Sequence, residues 1–333
     1  MRDPINDILE FQGVCIDYPL REYTLRAVSD ATIGIKRGKI TALVGESGSG
    51  KTTLASSVMH CISSPGRVAE GKIYFSDRSG EIIDVTALSE KQTRSFVWEK
   101  ASMVFQAAQS ALNPIMTVEQ SFIETYKEHF PKADKKEIVE KTRKLLGYVR
   151  LDEDRCLKAY PHELSGGMKQ RIMIAFSLLF DPQLIIFDEP TTALDVITQD
   201  YIFRLLKKIN RETGISMLLL THDISVVAKF ADYVCVMYSG LVMEYGDKYA
   251  ILGEKKHPYT CGLVGAIPSL NGDLSAMRPI EGSPPDLNNL PEGCVFSPRC
   301  DRCEKRCFEK RPGLYALEDR QIRCFKYEEG GRL

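Results

Sequence analysis

Apolar positions change their period several times along the chain, and each change marks an element. Residues 8–20 and 31–44 read as strands, the second closing in the compact run Ile40-Thr41-Ala42-Leu43-Val44. Gly45 stops that run, and a helical pattern begins near Lys51. Short strand-like pieces follow between 67 and 106, Lys72–Phe75 and Met103–Phe105 among them, with turn residues such as Ser76-Asp77 and Ser79-Gly80 between. From 117 to 160 the character changes. Glu124–Lys144 carries Lys and Glu at helical spacing with apolar residues interleaved, which predicts a mostly helical insertion with a solvated face. Met168–Phe180 predicts another helix, and Leu184–Phe187 and Ser216–Leu220 predict buried strands. Between those strands, Ile197, Ile202, Leu205, Leu206 and Ile209 form the apolar side of a helix over 196–211. Apolar strands alternating with helices predict an α/β fold around a parallel sheet covered on both faces. Beyond 250, prolines from Pro258 to Pro312 cut the pattern into short pieces, which predicts a small, loop-rich appendage.

Composition narrows this picture. Of 333 residues, 44% are apolar and 27% charged, enough for a packed core with a solvated surface. Lys plus Arg numbers 44 and Asp plus Glu 45, so the formal charge of -1 offers no general attraction to nucleic acid or anionic lipid. No run approaches the roughly 20 apolar residues of a spanning helix. The nearest, Met173–Phe180, ends at Asp181-Pro182, and Met1-Arg2-Asp3-Pro4 leads into no apolar signal core. The expectation is a chain in the cytoplasm, attached to a membrane only through a partner.

Gly45-Glu46-Ser47-Gly48-Ser49-Gly50-Lys51-Thr52 matches G-x-x-x-x-G-K-[ST] in full, and it lies between a strand and a helix, as a phosphate loop must. Its glycines let successive N–H groups face an anion, and the following helix aims its unpaired amides at the same place. Lys51 can meet the β and γ phosphates, and Thr52 can give a hydroxyl oxygen to Mg²⁺, with Thr53 beside it. Leu184-Ile185-Ile186-Phe187 then runs into Asp188-Glu189. Carboxylates at the carboxyl end of a buried strand sit where ligands bind in such sheets. Asp188 is therefore expected on the Mg²⁺ side, and Glu189 as the general base or water-orienting group for hydrolysis of the γ-phosphate. Leu164-Ser165-Gly166-Gly167-Met168 precedes a helix that Ser165 can cap, and the glycines bring bare amides toward an anion. With neither a preceding strand nor a lysine it is half of an anion site. His222 follows the strand Leu218–Leu220 and can reach a γ-phosphate or the attacking water; Gln106 follows Met103–Phe105 and can reach Mg²⁺ or water. Finally, Cys294, Cys300, Cys307 and Cys324 are spaced C-x5-C-x6-C-x16-C, with Cys303 inside the cluster. Four thiolates hold zinc or an iron–sulfur cluster, and the spacing selects neither; disulfides are the third option, disfavoured in a cytosolic chain.

Taken together, over residues 8–250, these motifs resemble the ATPase subunits of ATP-binding-cassette (ABC) transporters. Gly45–Thr52 is similar to their phosphate loop and Leu184–Glu189 to their acidic strand. Leu164–Met168, continued by Lys169-Gln170-Arg171, is similar to the signature sequence of that family. Gln106 falls at the Q-loop, Ala193-Leu194-Asp195 at the D-loop and His222 at the switch histidine. The resemblance implies a P-loop NTPase core over 1–106 and 168–250, a helical subdomain over 107–167 and a C-terminal extension over 251–333. It implies two such domains packed head to tail around two ATP molecules, with Ser165, Gly166 and Gly167 completing the opposite subunit's site. It also implies an aromatic residue stacked on adenine, assigned to Tyr18 with Tyr23 as the alternative. His257-Pro258-Tyr259-Thr260 and Gly293–Cys300, with Ser110-Ala111-Leu112-Asn113-Pro114, resemble the oligopeptide/dipeptide importer subgroup.

That subgroup implies an ATPase on the cytoplasmic face of the membrane. Its partners would be a second, distinct ATPase, two transmembrane permease subunits and an extracytoplasmic solute-binding protein, with no nucleic acid. The subgroup tips the cysteines toward a [4Fe-4S] cluster, with Zn²⁺ as the alternative. Its other members extend the solute to nickel and other small molecules. Ala107-Ala108, Ala193 and Lys169 depart from the usual pattern, but Lys51, Asp188, Glu189 and His222 are all present, so hydrolysis is expected. The rival readings are a cassette ATPase outside transport, which would carry a coiled-coil insertion or two cassettes in one chain, and a module that holds ATP without turnover.

Overall fold

The computed structural model describes residues 6–192, 194–266, 280–318 and 320–330. The chain divides into two compact units, one from Met1–Ala87 with Leu218–Leu333 and one from Leu88–Met217.

The first unit begins with β1 (Asp7–Pro19), β2 (Thr24–Lys36), β3 (Ile40–Val44), α1 (Lys51–Val58), β4 (Arg67–Ser76) and β5 (Ile82–Asp84). The sequence predicts one strand over 31–44, but the chain makes two. It turns through Arg37-Gly38-Lys39, where Gly38 takes φ +67, a conformation open to glycine and costly for other residues. β2 thereby joins an antiparallel sheet of order β2–β1–β4–β5, while β3 is placed in a different sheet.

The second unit holds α2 (Glu90–Glu99), β6 (Ala101–Val104), α3 (Val118–His129), α4 (Lys135–Tyr148), α5 (Glu153–Lys158), α6 (Gly166–Ser177), β7 (Leu184–Asp188) and α7 (Val196–Thr213). Side-chain caps start its helices. Ser89 with Gln92 and Thr117 with Gln120 form reciprocal capping boxes, and Asp134, Asp152, Ser165 and Asp195 each accept from an amide of the first turn. The Lys/Glu-rich stretch breaks into α3 and α4 because Pro131 disfavours helical backbone at Phe130, the residue before it. Phe122 of α3 stacks on Phe176 of α6 with ring centroids 3.7 Å apart, which fastens the insertion to the helix that follows the Ser165 cap. β6 and β7 pair in parallel, from Ala101 opposite Leu184 to Val104 opposite Phe187.

The chain continues through β8 (Ser216–Thr221), α8 (Ile224–Phe230), β9 (Tyr233–Tyr238), β10 (Leu241–Asp247), α9 (Lys248–Gly253), α10 (Pro258–Gly265), α11 (Lys305–Glu309), β11 (Tyr315–Ala316) and β12 (Arg320–Ile322). In the first unit the strands run in the order β11–β12–β10–β9–β3–β8. β3 and β9 are parallel, but β9–β10, β10–β12 and β11–β12 are antiparallel, so the sheet is mixed rather than the parallel one expected. The reason is local: Ser239-Gly240, both at positive φ (46° and 80°), turns β9 straight into β10 as a hairpin. The proline-cut tail also builds more than loops. β12 pairs with β10, and Arg320 meets Glu244 at 3.0 Å with both side chains 0% exposed. Val295 and Phe296 of the tail share one core with Val44, Val236, Tyr238 and Tyr259.

Candidate nucleotide site

In the first unit, β3 is buried along its whole length and delivers the chain to the phosphate loop. A side chain at Gly45 would put its Cβ 2.1 Å from the Met237 carbonyl oxygen. Gly50, the N-cap of α1, sits at φ +94, where a Cβ would lie 2.7 Å from the Ala27 carbonyl oxygen. Backbone on one side and left-handed geometry on the other explain why these positions are glycine. Ser47 and Gly48 form the exposed rim, and Ser49 is buried beneath them. Lys51 is buried and lies back over the loop, donating from Nζ to the Gly45 oxygen at 2.8 Å, the Glu46 oxygen at 2.9 Å and Ser49 Oγ at 3.2 Å. A cation held by two carbonyls and a hydroxyl at the start of a helix suits a polyanion. Thr52 is exposed beside it, and Thr53 is half-buried.

Tyr18 lies on β1 in the same unit, its ring close enough to Gly66 that a Cβ there would come within 2.5 Å of Cε1. Tyr23 is 49% exposed. His222 is exposed directly after β8, and Asp223 next to it caps α8, accepting from the Ser225 amide at 2.8 Å.

In the second unit, the parallel register of β6 and β7 ends both strands at one level. Just past them, Gln106 Nε2 donates to Glu189 Oε2 at 3.4 Å. Thr192 Oγ1 donates to the same oxygen at 3.2 Å. Two residues far apart in sequence thus become neighbours. Glu189 takes φ +45, an uncommon conformation for a non-glycine residue. Asp188, the last residue of β7, is 3% exposed. Ser165 caps α6, its Oγ accepting from the Met168 amide at 3.3 Å. Gly166 and Gly167 form the first turn, and a Cβ at Gly167 would sit 3.0 Å from Thr198 Cγ2. In the D-loop segment, Asp195 caps α7 through the Thr198 amide at 2.9 Å, and its hydrogen bonds with Thr198 lower its pKa. Ala193 lies outside the described residues.

Cys294, Cys300, Cys303, Cys307 and Cys324 line one cavity together with His257 and Phe296. Burial pushes the Cys294 and Cys300 thiols up to about 11 and also raises Cys324. The spacing leads one to expect an assembled ligand set. Among the described residues, however, no three His, Cys, Asp or Glu side chains are placed to hold a metal ion. Of the scattered cysteines, Cys15, Cys156 and Cys235 are buried, Cys261 is half-buried and Cys61 is exposed.

Sequence reasoning missed Arg299, Tyr238 and Tyr259. Arg299 binds Glu46 of the phosphate loop with both Nη atoms, and Tyr259 Oη accepts from the Glu46 amide at 3.1 Å. The arginine stands beside Cys300 in a segment read only for its cysteines, and no local pattern signals a partner 253 positions away.

Comparison with known proteins decides the family. The model described as "ABC transporter" matches residues 28–192, and the one described as "Oligopeptide/dipeptide transporter, C-terminal region" matches 243–307. The chain is 39% identical over 324 residues to a dipeptide transport ATP-binding protein of Caldanaerobacter subterraneus subsp. tengcongensis, covering 97% of this chain and 98% of that one. This chain belongs to the ABC transporter ATP-binding subunits of the oligopeptide/dipeptide family. An oligopeptide transport ATP-binding protein of Bacillus subtilis is 37% identical, covering 98% and 99% of the two chains. A dimeric ATP-binding cassette solved in a post-hydrolysis state with ADP and Pi superposes with a TM-score of 0.61 at 28% identity, over 72% of this chain and 98% of that one. A cassette from Clostridium perfringens, part of an ABC transporter complex, gives 0.63 at 28% identity, over 78% and 95%. The ABC transporter subunit described here is therefore an ATPase that works with ATP and Mg²⁺. No helix among its described residues is long and apolar enough to cross a membrane.

Proposed function

We propose that this ABC ATPase hydrolyses ATP to power import of dipeptides or oligopeptides. It would act at the cytoplasmic face of a membrane with a second ATPase, two permease subunits and a solute-binding protein. Similarity over 97–98% of this chain to dipeptide and oligopeptide transport ATP-binding proteins supports the solute class, and the matched C-terminal region agrees with it. In this reading, residues 1–106 and 168–250 are the nucleotide-binding core, 107–167 the helical subdomain and 251–333 the extension.

The roles follow from the side chains. Amides of Gly45–Thr53 and the Lys51 ammonium hold the phosphates, and Tyr18 takes the adenine. Thr52, Asp188 and Gln106 would hold Mg²⁺, which would supply positive charge to the phosphate oxygens. Glu189 accepts the proton of the attacking water. The observation that carries this is the Gln106–Glu189 hydrogen bond, which with the one from Thr192 orients the Glu189 carboxylate. His222 contacts the γ-phosphate. Ser165, Gly166 and Gly167 present a capped helix start to the nucleotide of the opposite subunit.

Glu189→Gln keeps the shape of the side chain and removes the base. The expected result in the assembled transporter is a fall in turnover of about a hundredfold or more, with MgATP affinity preserved. Equal turnover in both proteins would remove Glu189 from the chemistry.

The cysteine cavity supports a thiolate-held metal centre in the tail, for which we favour a [4Fe-4S] cluster over Zn²⁺. Five cysteines line that cavity without yet being placed to hold an ion, and Cys294, Cys300, Cys307 and Cys324 would be the ligands drawn in by the metal.

A further inference from the structure

A phosphate loop exists to hold a polyanion, yet its second residue here is Glu46, whose carboxylate adds negative charge to the loop. That charge is met from the tail. Arg299 Nη1 donates to Glu46 Oε2 at 2.7 Å and Nη2 donates to Oε1 at 3.0 Å, a two-pronged grip. The guanidinium is itself held in place. Nε donates to the Glu281 oxygen at 2.9 Å and Nη1 to Tyr238 Oη at 3.2 Å, with the tyrosine ring centroid 5.7 Å away. The Arg299 side chain is 5% exposed, against 28% for Glu46. The pairing with Glu46 raises the Arg299 pKa further above its ordinary value, so its charge is permanent. The Glu46 backbone is fixed as well: its amide donates to Tyr259 Oη at 3.1 Å, and its carbonyl accepts from Lys51 Nζ at 2.9 Å. Tyr259 is fully buried.

We propose that Arg299 is a positioning residue for the nucleotide. By neutralising the Glu46 carboxylate and drawing it to the tail, it lets the loop amides and Lys51 face the phosphates without an opposing charge beside them. The C-terminal extension is then a working part of the nucleotide site. The physical reason is one of sign. A half-buried carboxylate left without its cation repels the incoming phosphates by like charge. The proposal rests on the reading of Gly45–Thr52 as the phosphate grip, and it adds that affinity is set partly from the tail.

The test is equilibrium titration of the purified full-length chain with MgATP, with the thermal midpoint of each variant as a check on folding. Arg299→Gln should raise the dissociation constant about tenfold, the size expected when a charged hydrogen-bonded group loses its partner. Glu46→Gln, which removes the carboxylate and with it the need for a cation, sets the reference against which the double variant is read. The double variant Arg299→Gln with Glu46→Gln should return to within about threefold of Glu46→Gln alone, since removing the stranded charge removes the repulsion. A mere brace would not be rescued this way, because the double variant has lost the brace as well. An unchanged dissociation constant in Arg299→Gln, or a double variant no better than the single one, would overturn the proposal. If Arg299→Gln does not fold, Arg299→Lys carries the test: it keeps the charge but loses the fork, so a rise well below about tenfold is expected, and a rise of about tenfold or more with the charge still present overturns the idea. Lys51→Ala separates the two layers. Should it bind MgATP as well as wild type, the phosphate-loop reading itself fails; should it lose binding while the Arg299 variants do not, only the role of Arg299 fails.

Discussion

His257 is 2% exposed, with Nδ1 accepting from the Tyr259 amide at 3.0 Å and Nε2 facing the Arg323 carbonyl oxygen at 3.2 Å. Those partners fix the neutral tautomer with the proton on Nε2. Burial lowers its pKa from 6.5 to about 4, and the Arg323 carbonyl only partly opposes this. With the folded value below the unfolded one, the unfolded chain binds more protons between these values, so stability rises with pH there. The contribution is in place above about pH 6.5 and is lost as pH falls toward about 4, on the order of 3 kcal/mol at most. Thermal midpoints measured from pH 7.5 to 4 should therefore fall more steeply in wild type than in His257→Asn, whose amide oxygen can still cap α10. Parallel curves would remove His257 as a cause. At this scale the sequence shows residue type but not burial. The glycines at 45, 48 and 50 were legible because the phosphate motif encodes their geometry. Arg299 was not, since nothing near it in sequence names Glu46.

Helix starts were the most legible elements, because a cap is a local event: one side chain accepts from an amide two or three residues on. Ser165 was read as a cap and caps α6. A cap role and a catalytic role can be separated by pairing it with Asp134, which caps α4 by accepting from the Lys136 amide at 3.0 Å. Ser165→Ala and Asp134→Ala should each cost about 1 kcal/mol of stability, read by denaturant unfolding. Only Ser165→Ala should lower transporter ATPase turnover beyond that stability loss. Equal turnover in the two variants would leave Ser165 as a cap and nothing more. Strand pairing was less legible. The run 31–44 reads as one strand because apolar spacing does not record which sheet each half joins, and only Gly38 marks the turn. The β9–β10 hairpin was hidden for a related reason, since a short apolar strand looks alike in a parallel or an antiparallel sheet.

The two ends of the chain form one unit, and there the tail does several jobs. It adds β12 to β10, buries the Arg320–Glu244 pair, supplies Arg299 to the phosphate loop and gathers five cysteines around one cavity. Glu244 shows the tension in such burial. Desolvation raises its pKa, while the hydrogen bonds it accepts from Arg320 and the His257 amide pull the other way. The cysteines carry a prediction for the molecule as a whole. Anaerobically purified full-length protein should absorb in the visible and contain iron and acid-labile sulfide, and removing the metal should lower the thermal midpoint. Loading should improve as pH rises, because ligation must strip protons from thiols that burial raises. Zinc without iron would replace the cluster with a zinc site. A colourless, metal-free preparation with an undiminished midpoint would end both.

The sequence by itself determined the phosphate loop, the acidic strand end, the signature helix cap and the α/β alternation. Each is written in neighbouring residues, through local sterics, hydrogen bonding and the period of burial. Only the tertiary structure decided the mixed sheet, the Gln106–Glu189 hydrogen bond and the grip of Arg299 on Glu46. Those depend on which distant segments share a core, and contacts across 83 or 253 positions leave no periodic trace in the chain that makes them.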